Sequence, residues 1–222
     1  MALIALNAVA WLFELAHGVD LSTLEFGLIP RWILSGTTSG VLELPGYAAV
    51  QLQQPLPWPA TILTSMFMHG SWMHIIGNMW FLWIFGDNVE DAMGRGKFVA
   101  FYFLCGIAAA LAQIASGPSS LAPMVGASGA IAGVLGAYLM LYPHARVRCL
   151  WILIIIVTTI YVLAWLLLGL WFLSQFFMPG PEVAWMAHVG GFAVGFLLVR
   201  LFVTRRPPPR RTQFPPLFQR AS

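Results

Sequence analysis

The chain has 222 residues, of which 59% are hydrophobic and only 9% are charged. A water-soluble domain carries about a quarter charged residues, so this composition excludes a soluble globular protein and predicts one that is solvated mainly by lipid. We interpret the net charge of +3 as a signal for orientation in the membrane and not as an indication of nucleic-acid binding.

Six apolar segments are candidates for transmembrane helices, since a hydrocarbon core of about 30 Å needs about 20 apolar residues. We number these spans 1 to 6, at about 2–17, 72–93, 97–116, 126–142, 149–175 and 184–203. Span 4 is short, and span 5 is long enough to be tilted. The sequence therefore predicts an all-α, polytopic membrane protein with six transmembrane helices in one domain over residues 1–203.

The first span and the basic residues predict the orientation. Span 1 begins at Met1, and residues 1–13 carry no positive charge, which favours a helix over a signal peptide and leaves open whether native residues precede Met1. Ten of the eleven Lys and Arg residues fall on one side of the six-span arrangement, and only Arg31 falls on the other. Both termini are therefore predicted to be cytoplasmic. This pattern and the compact form are typical of a prokaryotic plasma membrane protein.

The segments outside the spans differ in character. Residues 18–71 form a long external loop rich in Pro, Gly and Gln, and such loops are usually functional. The tail, 204–222, is basic and Pro-rich and is predicted to be disordered, with its arginines near anionic head groups. Cys105 and Cys149 are predicted to be free thiols. No Cys or His spacing indicates a metal, and no cofactor is predicted.

Small residues identify the predicted central helices. Gly129 and Gly133 lie four residues apart in span 4, as Gly191 and Gly195 do in span 6. This spacing lets two helix backbones approach closely. Span 5 is bulky on every face, which is typical of a peripheral helix exposed to lipid.

Polar side chains within spans are costly in lipid and are therefore candidates for function. His74 and Asn78 lie in span 2, Ser128 in span 4 and His188 in span 6. At about 1.5 Å per helical residue, His74, Ser128 and His188 all lie roughly 18–22 Å above the cytoplasmic ends of their spans. Three helices thus place polar groups in one layer, near the outer face of the membrane.

A serine and a histidine at one depth favour nucleophilic catalysis, although a serine among small residues is more often a packing residue. Histidine is the usual base that removes the proton from a serine hydroxyl. Asn78, His74 and the Ser128 backbone N–H could stabilise the oxyanion. Because no carboxylate lies at this depth, the sequence predicts a Ser–His dyad rather than a triad.

Four motifs in order make this chain resemble the rhomboid family of intramembrane serine proteases. They are HIIGN with His74 and Asn78, GDNVEDAMG, GASGA with Gly126 and Ser128, and AHVGGFAVG with His188. FMHG matches the segment that enters span 2, and the resemblance covers about residues 20–203.

The resemblance implies peptide-bond hydrolysis in or near the transmembrane segments of mostly single-pass membrane proteins. Ser128 would be the nucleophile and His188 the general base. His74, Asn78 and the Ser128 N–H would form the oxyanion hole, and Gly126 would leave room for the substrate backbone. The implied partners are transmembrane substrates and lipids, and the oligomeric state stays open.

A departure from the family concerns His188, and two alternatives remain. Ala132 stands where many members have an aromatic residue stacked on the histidine, so Trp185 or Met186 is a candidate to hold His188 instead. The first alternative is a rhomboid-like pseudoprotease that binds membrane helices without cutting them, although such proteins typically lack the serine or the histidine. The second is a small transporter, which would usually show paired repeats or broken helices.

Overall fold

The computed structural model describes residues 2–42, 49–153, 156–177 and 184–204. Within these residues the fold is mostly helical, with two antiparallel hairpins of two strands each. The helices are α1 (Ala2–His17), α2 (Val19–Phe26), α3 (Pro30–Ser35), α4 (Trp58–Thr64), α5 (Trp72–Met93), α6 (Arg95–Ser116), α7 (Ser128–Leu141), α8 (Ala164–Phe177) and α9 (Trp185–Phe202). The strands are β1 (Ser39–Leu42), β2 (Val50–Gln53), β3 (Arg146–Leu153) and β4 (Ile156–Leu163). The predicted disorder of the tail concerns residues that, apart from Thr204, lie outside the described part.

The prediction of one long helix over 149–175 is wrong in its first half. Strands β3 and β4 pair in register from Arg146↔Leu163 to Leu153↔Ile156, and helix α8 begins only at Ala164. The strands are rich in Ile, Val and Thr, whose β-branched side chains favour a pleated sheet over a helix. The fold is therefore mostly helical rather than all-α.

The predicted external loop, 18–71, contains regular structure. It holds α2, α3, α4 and the β1–β2 hairpin, in which Gly40 pairs with Leu52. Ile29, Trp32, Leu42 and Leu52 form a small buried cluster of their own. This packing gives the segment a small hydrophobic core of its own.

Two helices in the described part, α6 and α9, are each long and apolar enough to cross a membrane. Helices α1 and α2 meet the same criterion only as a pair, and they bend by 114° where they join. Helices α7 and α8 are apolar but shorter, with 14 residues each. The six-span arrangement as a whole stays a prediction.

Helix α7 lies at the centre of the bundle, where every residue from Gly129 to Tyr138 is buried. A Cβ atom placed on Gly191 of α9 would overlap the main-chain oxygen of Gly129, and one on Gly195 would overlap that of Gly133. The two backbones are therefore in direct contact, with no side chain between them, as small residues four apart permit.

A buried carboxylate ties α1 to the segment before α5. Glu14 is fully buried, and its Oε1 accepts a hydrogen bond of 2.7 Å from the backbone N–H of His69. This hydrogen bond anchors the chain five residues before His74.

Candidate active site

Ser128 is the first residue of α7, and the preceding segment is held in place by backbone hydrogen bonds. Met124 pairs with Leu28 in an antiparallel bridge, and the Gly126 N–H donates to the Ser65 carbonyl at 2.8 Å. Gly126 has a φ of 121°, a conformation that favours glycine. The N–H groups of the first helical turn have no acceptor within the helix, so the start of α7 offers free donors beside Ser128.

Helix α9 brings His188 to the Ser128 side chain. The Nε2 atom of His188 lies 2.8 Å from Oγ of Ser128, within hydrogen-bond range. The first turn of α9 is held by Gln113 of α6, whose Oε1 accepts from the Ala187 N–H at 3.2 Å. The glycine contacts between α7 and α9 begin at Gly129, next to Ser128, and they therefore set the distance between the Ser128 and His188 side chains.

The opposite side of the His188 ring contacts α8. The Nδ1 atom of His188 lies 2.8 Å from Oε1 of Gln175, and the Trp171 ring lies 5.9 Å from the imidazole, tilted by 38°. The structure therefore places Gln175 and Trp171 where the sequence suggested Trp185 or Met186, while the Trp185 ring contacts Phe176. Sequence reasoning missed Gln175, although a glutamine in the apolar run WFLSQFF is itself a polar group within a span.

His74 and Asn78 lie on α5, on the other side of Ser128. Ser71 caps this helix by accepting a hydrogen bond from the His74 N–H at 3.2 Å. The Nε2 atom of His74 faces Gly126 so closely that a Cβ atom there would lie only 2.6 Å from it. Asn78 is buried, and its Nδ2 atom has no hydrogen-bond partner among the described residues. Two donors of α5 thus remain available near the start of α7.

His69 packs against His74 and limits the positions of its ring. The two ring centroids lie 5.1 Å apart at 71°, an edge-to-face arrangement. Burial, and to a lesser degree the neighbouring His74, lowers the pKa of His69 to about 4. Its ring is therefore uncharged at neutral pH.

A small cavity opens beside Ser128. Its lining is made of short or apolar side chains, including Met66, Ala109, Gly129 and Ala187, and it reaches Gly126. Such a lining fits a small apolar side chain. Among the described residues, no three His, Cys, Asp or Glu side chains come together as a metal site would require.

Comparison with known proteins gives one family. The Rhomboid domain family matches residues 58–205, more than half of the chain. The matched region contains the Ser128–His188 pair, His74, Asn78 and Gln175.

Several named relatives match parts of the chain. It is 34% identical over 91 residues to "Rhomboid protein 1, mitochondrial" of Saccharomyces cerevisiae, covering 39% of this chain and 26% of the yeast protein. It is 29% identical over 144 residues to "RHOMBOID-like protein 5" of Arabidopsis thaliana, covering 62% and 42%. It is 33% identical over 95 residues to "Presenilin-associated rhomboid-like protein, mitochondrial" of Mus musculus, covering 41% and 25%. The chain thus spans less than half the length of each of these relatives.

Proposed function

Because this chain belongs to the rhomboid family, we propose that it is an intramembrane serine endopeptidase. Its substrates in this proposal are mostly single-pass membrane proteins, cut in or near their transmembrane segments. The observation that carries the proposal is the 2.8 Å contact between Ser128 Oγ and His188 Nε2, which joins the ends of two helices in a membrane protein. A polar pair is costly in lipid, and nucleophilic catalysis accounts for it.

The proposed reaction uses the Ser128 and His188 side chains, the substrate and one water molecule. His188 Nε2 takes the proton of the Ser128 hydroxyl as Oγ bonds to the carbonyl carbon of the scissile peptide. The tetrahedral intermediate collapses, the C–N bond breaks, and His188 returns the proton to the leaving amine. Water, activated by the same imidazole, then hydrolyses the acyl ester and restores Ser128.

The oxyanion hole in this proposal comes from two helices. The Ser128 N–H lies at the start of α7, where the helix dipole also favours negative charge. His74 and Asn78 supply side-chain donors from α5, and this role is supported by Nδ2 of Asn78, which has no hydrogen-bond partner among the described residues. Gly126 keeps the space between His74 and Ser128 open for the substrate backbone.

Gly126→Ala is expected to lower turnover by about 10²- to 10³-fold, the usual cost of losing one oxyanion donor. The new Cβ would lie 2.6 Å from His74 Nε2 and push the ring away from the site. Cleavage rates at saturating substrate would measure the effect.

The matched control for this change is Gly94→Ala. Gly94 also has a positive φ, of 82°, but no atom of the described residues lies within 4 Å of its Cβ position. Both variants carry backbone strain, and only Gly126→Ala displaces His74. Equal losses of activity in the two variants would contradict the proposed role of the His74 position.

The chain is an integral multi-pass membrane protein, and its finer topology forms part of the proposal. We place both termini in the cytoplasm and residues 1–203 in a single six-span domain. In this arrangement, Ser128 opens to the external side, from which water reaches the site. The Arg and Lys residues between spans 2 and 3, between spans 4 and 5 and after span 6 support this orientation.

The test is cleavage of a fluorogenic single-pass membrane substrate by the purified protein in detergent or liposomes. The proposal predicts cleavage by the wild-type protein and none by Ser128→Ala, with both proteins equally folded by thermal unfolding. Equal cleavage by the two would indicate a contaminating protease. Absence of cleavage, with substrate captured by both, would indicate the non-cutting binder instead.

A further inference from the structure

Helix α8 contacts the imidazole of His188 on the side away from Ser128. Gln175 Oε1 lies 2.8 Å from Nδ1 of His188, and both side chains are half-buried. The Trp171 ring, one turn earlier on α8, covers the imidazole at 5.9 Å. The dyad and the groups that contact its base therefore lie on three helices, with the nucleophile on α7, the base on α9 and these two contacts on α8.

The hydrogen bonds of the Gln175 side chain determine how its amide is oriented. Its Nε2 donates to the Trp171 carbonyl at 3.1 Å and to the Ser174 hydroxyl at 3.2 Å. A flipped amide would set its oxygen against the Trp171 carbonyl, where two acceptors repel. The amide oxygen therefore faces His188.

This orientation selects one tautomer of the imidazole. An amide oxygen only accepts, so the Nδ1 atom of His188 must carry the hydrogen. In a neutral ring with Nδ1–H, the Nε2 atom has the free lone pair, and this is the atom that lies 2.8 Å from Ser128 Oγ. The ring is thus held in the form that can accept the serine proton.

We propose that Gln175 is the positioning residue of the dyad. It fixes the tautomer and the ring orientation of His188 through Nδ1, the part that a carboxylate plays in a triad. It keeps this hydrogen bond while the serine proton moves to Nε2 and on to the leaving amine, and it gains and loses no proton. The inference rests on the proposed function, in which Ser128 is activated by His188.

The experiment measures how fast a fluorophosphonate probe labels Ser128, because this needs an activated serine but no protein substrate. Gln175→Met keeps the length of the side chain and removes the acceptor. It is expected to lower the labelling rate by about 10- to 100-fold, with the thermal unfolding midpoint unchanged, since a misplaced catalytic group costs about this much.

Gln175→Glu supplies the rescue that a packing role would not give. It restores an acceptor of the same length, so labelling at high pH is expected to recover to within a few-fold of wild type. The acidic limb of the pH–rate profile is expected to move to higher pH, because a carboxylate beside the imidazole favours the protonated ring, which cannot accept the serine proton.

Leu173→Ala is the matched control, since Leu173 is an exposed residue two positions earlier on α8. Wild-type labelling by Gln175→Met would overturn the inference, as would a Gln175→Glu variant as slow as Gln175→Met or with an unshifted pH profile. If the probe labels Ser128 of the wild-type protein but the protein cleaves no membrane substrate, the proposed function is wrong and the role of Gln175 is retained. A wild-type Ser128 that does not label would overturn both.

Discussion

Ser128→Ala is expected to reduce cleavage and fluorophosphonate labelling to the background, and His188→Ala to lower both by about 10²- to 10⁴-fold. The serine variant removes the atom that bonds to the substrate carbonyl. The histidine variant keeps that atom and removes the base 2.8 Å away from it. The two readouts, measured on the same purified samples, compare the variants directly.

The matched controls are an exposed serine and an exposed histidine elsewhere in the chain, Ser39→Ala and His144→Ala. Both are expected to keep wild-type rates, because neither side chain contacts the site. The thermal unfolding midpoints of Ser128→Ala and of the two controls should lie close to that of the wild type, since each change removes at most a net hydrogen bond of about 1 kcal/mol. His188→Ala removes two hydrogen bonds and the contact with the Trp171 ring, so its midpoint is expected to be lower. Labelling that persists in Ser128→Ala would mean that another serine reacts with the probe.

The depth of the polar residues and the composition of the helices were enough to predict that Ser128 and His188 lie close together. Counting residues along spans 4 and 6 places Ser128 and His188 in one layer, and in the structure their side chains are in contact. This prediction is possible because the rise per residue of a helix and the thickness of the membrane together determine the depth of each side chain. The glycines at 191 and 195 add the second constraint, because they indicate which two helices touch.

The same reasoning fails for the segment 146–163, where the structure has a β-hairpin. An apolar run is equally compatible with a buried strand and with a buried helix, and hydropathy does not distinguish them. The distinguishing signal is the β-branched composition around Val157, Thr158 and Thr159. The hairpin is closed at its base by the Ala164 N–H, which donates to the Ala145 carbonyl at 2.8 Å.

The wrong helix boundaries also explain why Gln175 is absent from the predicted site. A helix over 149–175 ends at Gln175, which assigns this side chain to a helix end, outside the polar layer. The structure starts α8 at Ala164 and continues it to Phe177, and Gln175 then reaches His188. The partner of His188 could be identified only from the packing of α8 on α9, which includes Phe172 stacked on Phe192 at 4.5 Å.

Gly195→Ala is expected to destabilise the protein by about 1–3 kcal/mol and to lower the labelling rate as well. Its new Cβ would overlap the main-chain oxygen of Gly133. A main-chain atom has no alternative rotamer, so α7 and α9 must move apart. Thermal unfolding and fluorophosphonate labelling of the same sample would measure the two effects.

The matched control is Gly169→Ala on α8, where no atom in the described part of the chain lies within 4 Å of the Cβ position. Alanine is the better helix former, so this variant is expected to be as stable as the wild type or slightly more so. A Gly195→Ala protein with wild-type stability and labelling would show that the two backbones are not in contact.

The joint loss in Gly195→Ala separates a packing defect from a chemical one. His188 lies seven residues before Gly195 on the same helix, which is about two turns or 10 Å along the axis. A separation of α7 and α9 at Gly195 therefore lengthens the distance between His188 and Ser128, so labelling falls together with stability. Ser128→Ala loses labelling alone. Gly191→Ala, whose Cβ would overlap the main-chain oxygen of Gly129 beside Ser128, should lose more labelling than Gly195→Ala for the same loss of stability.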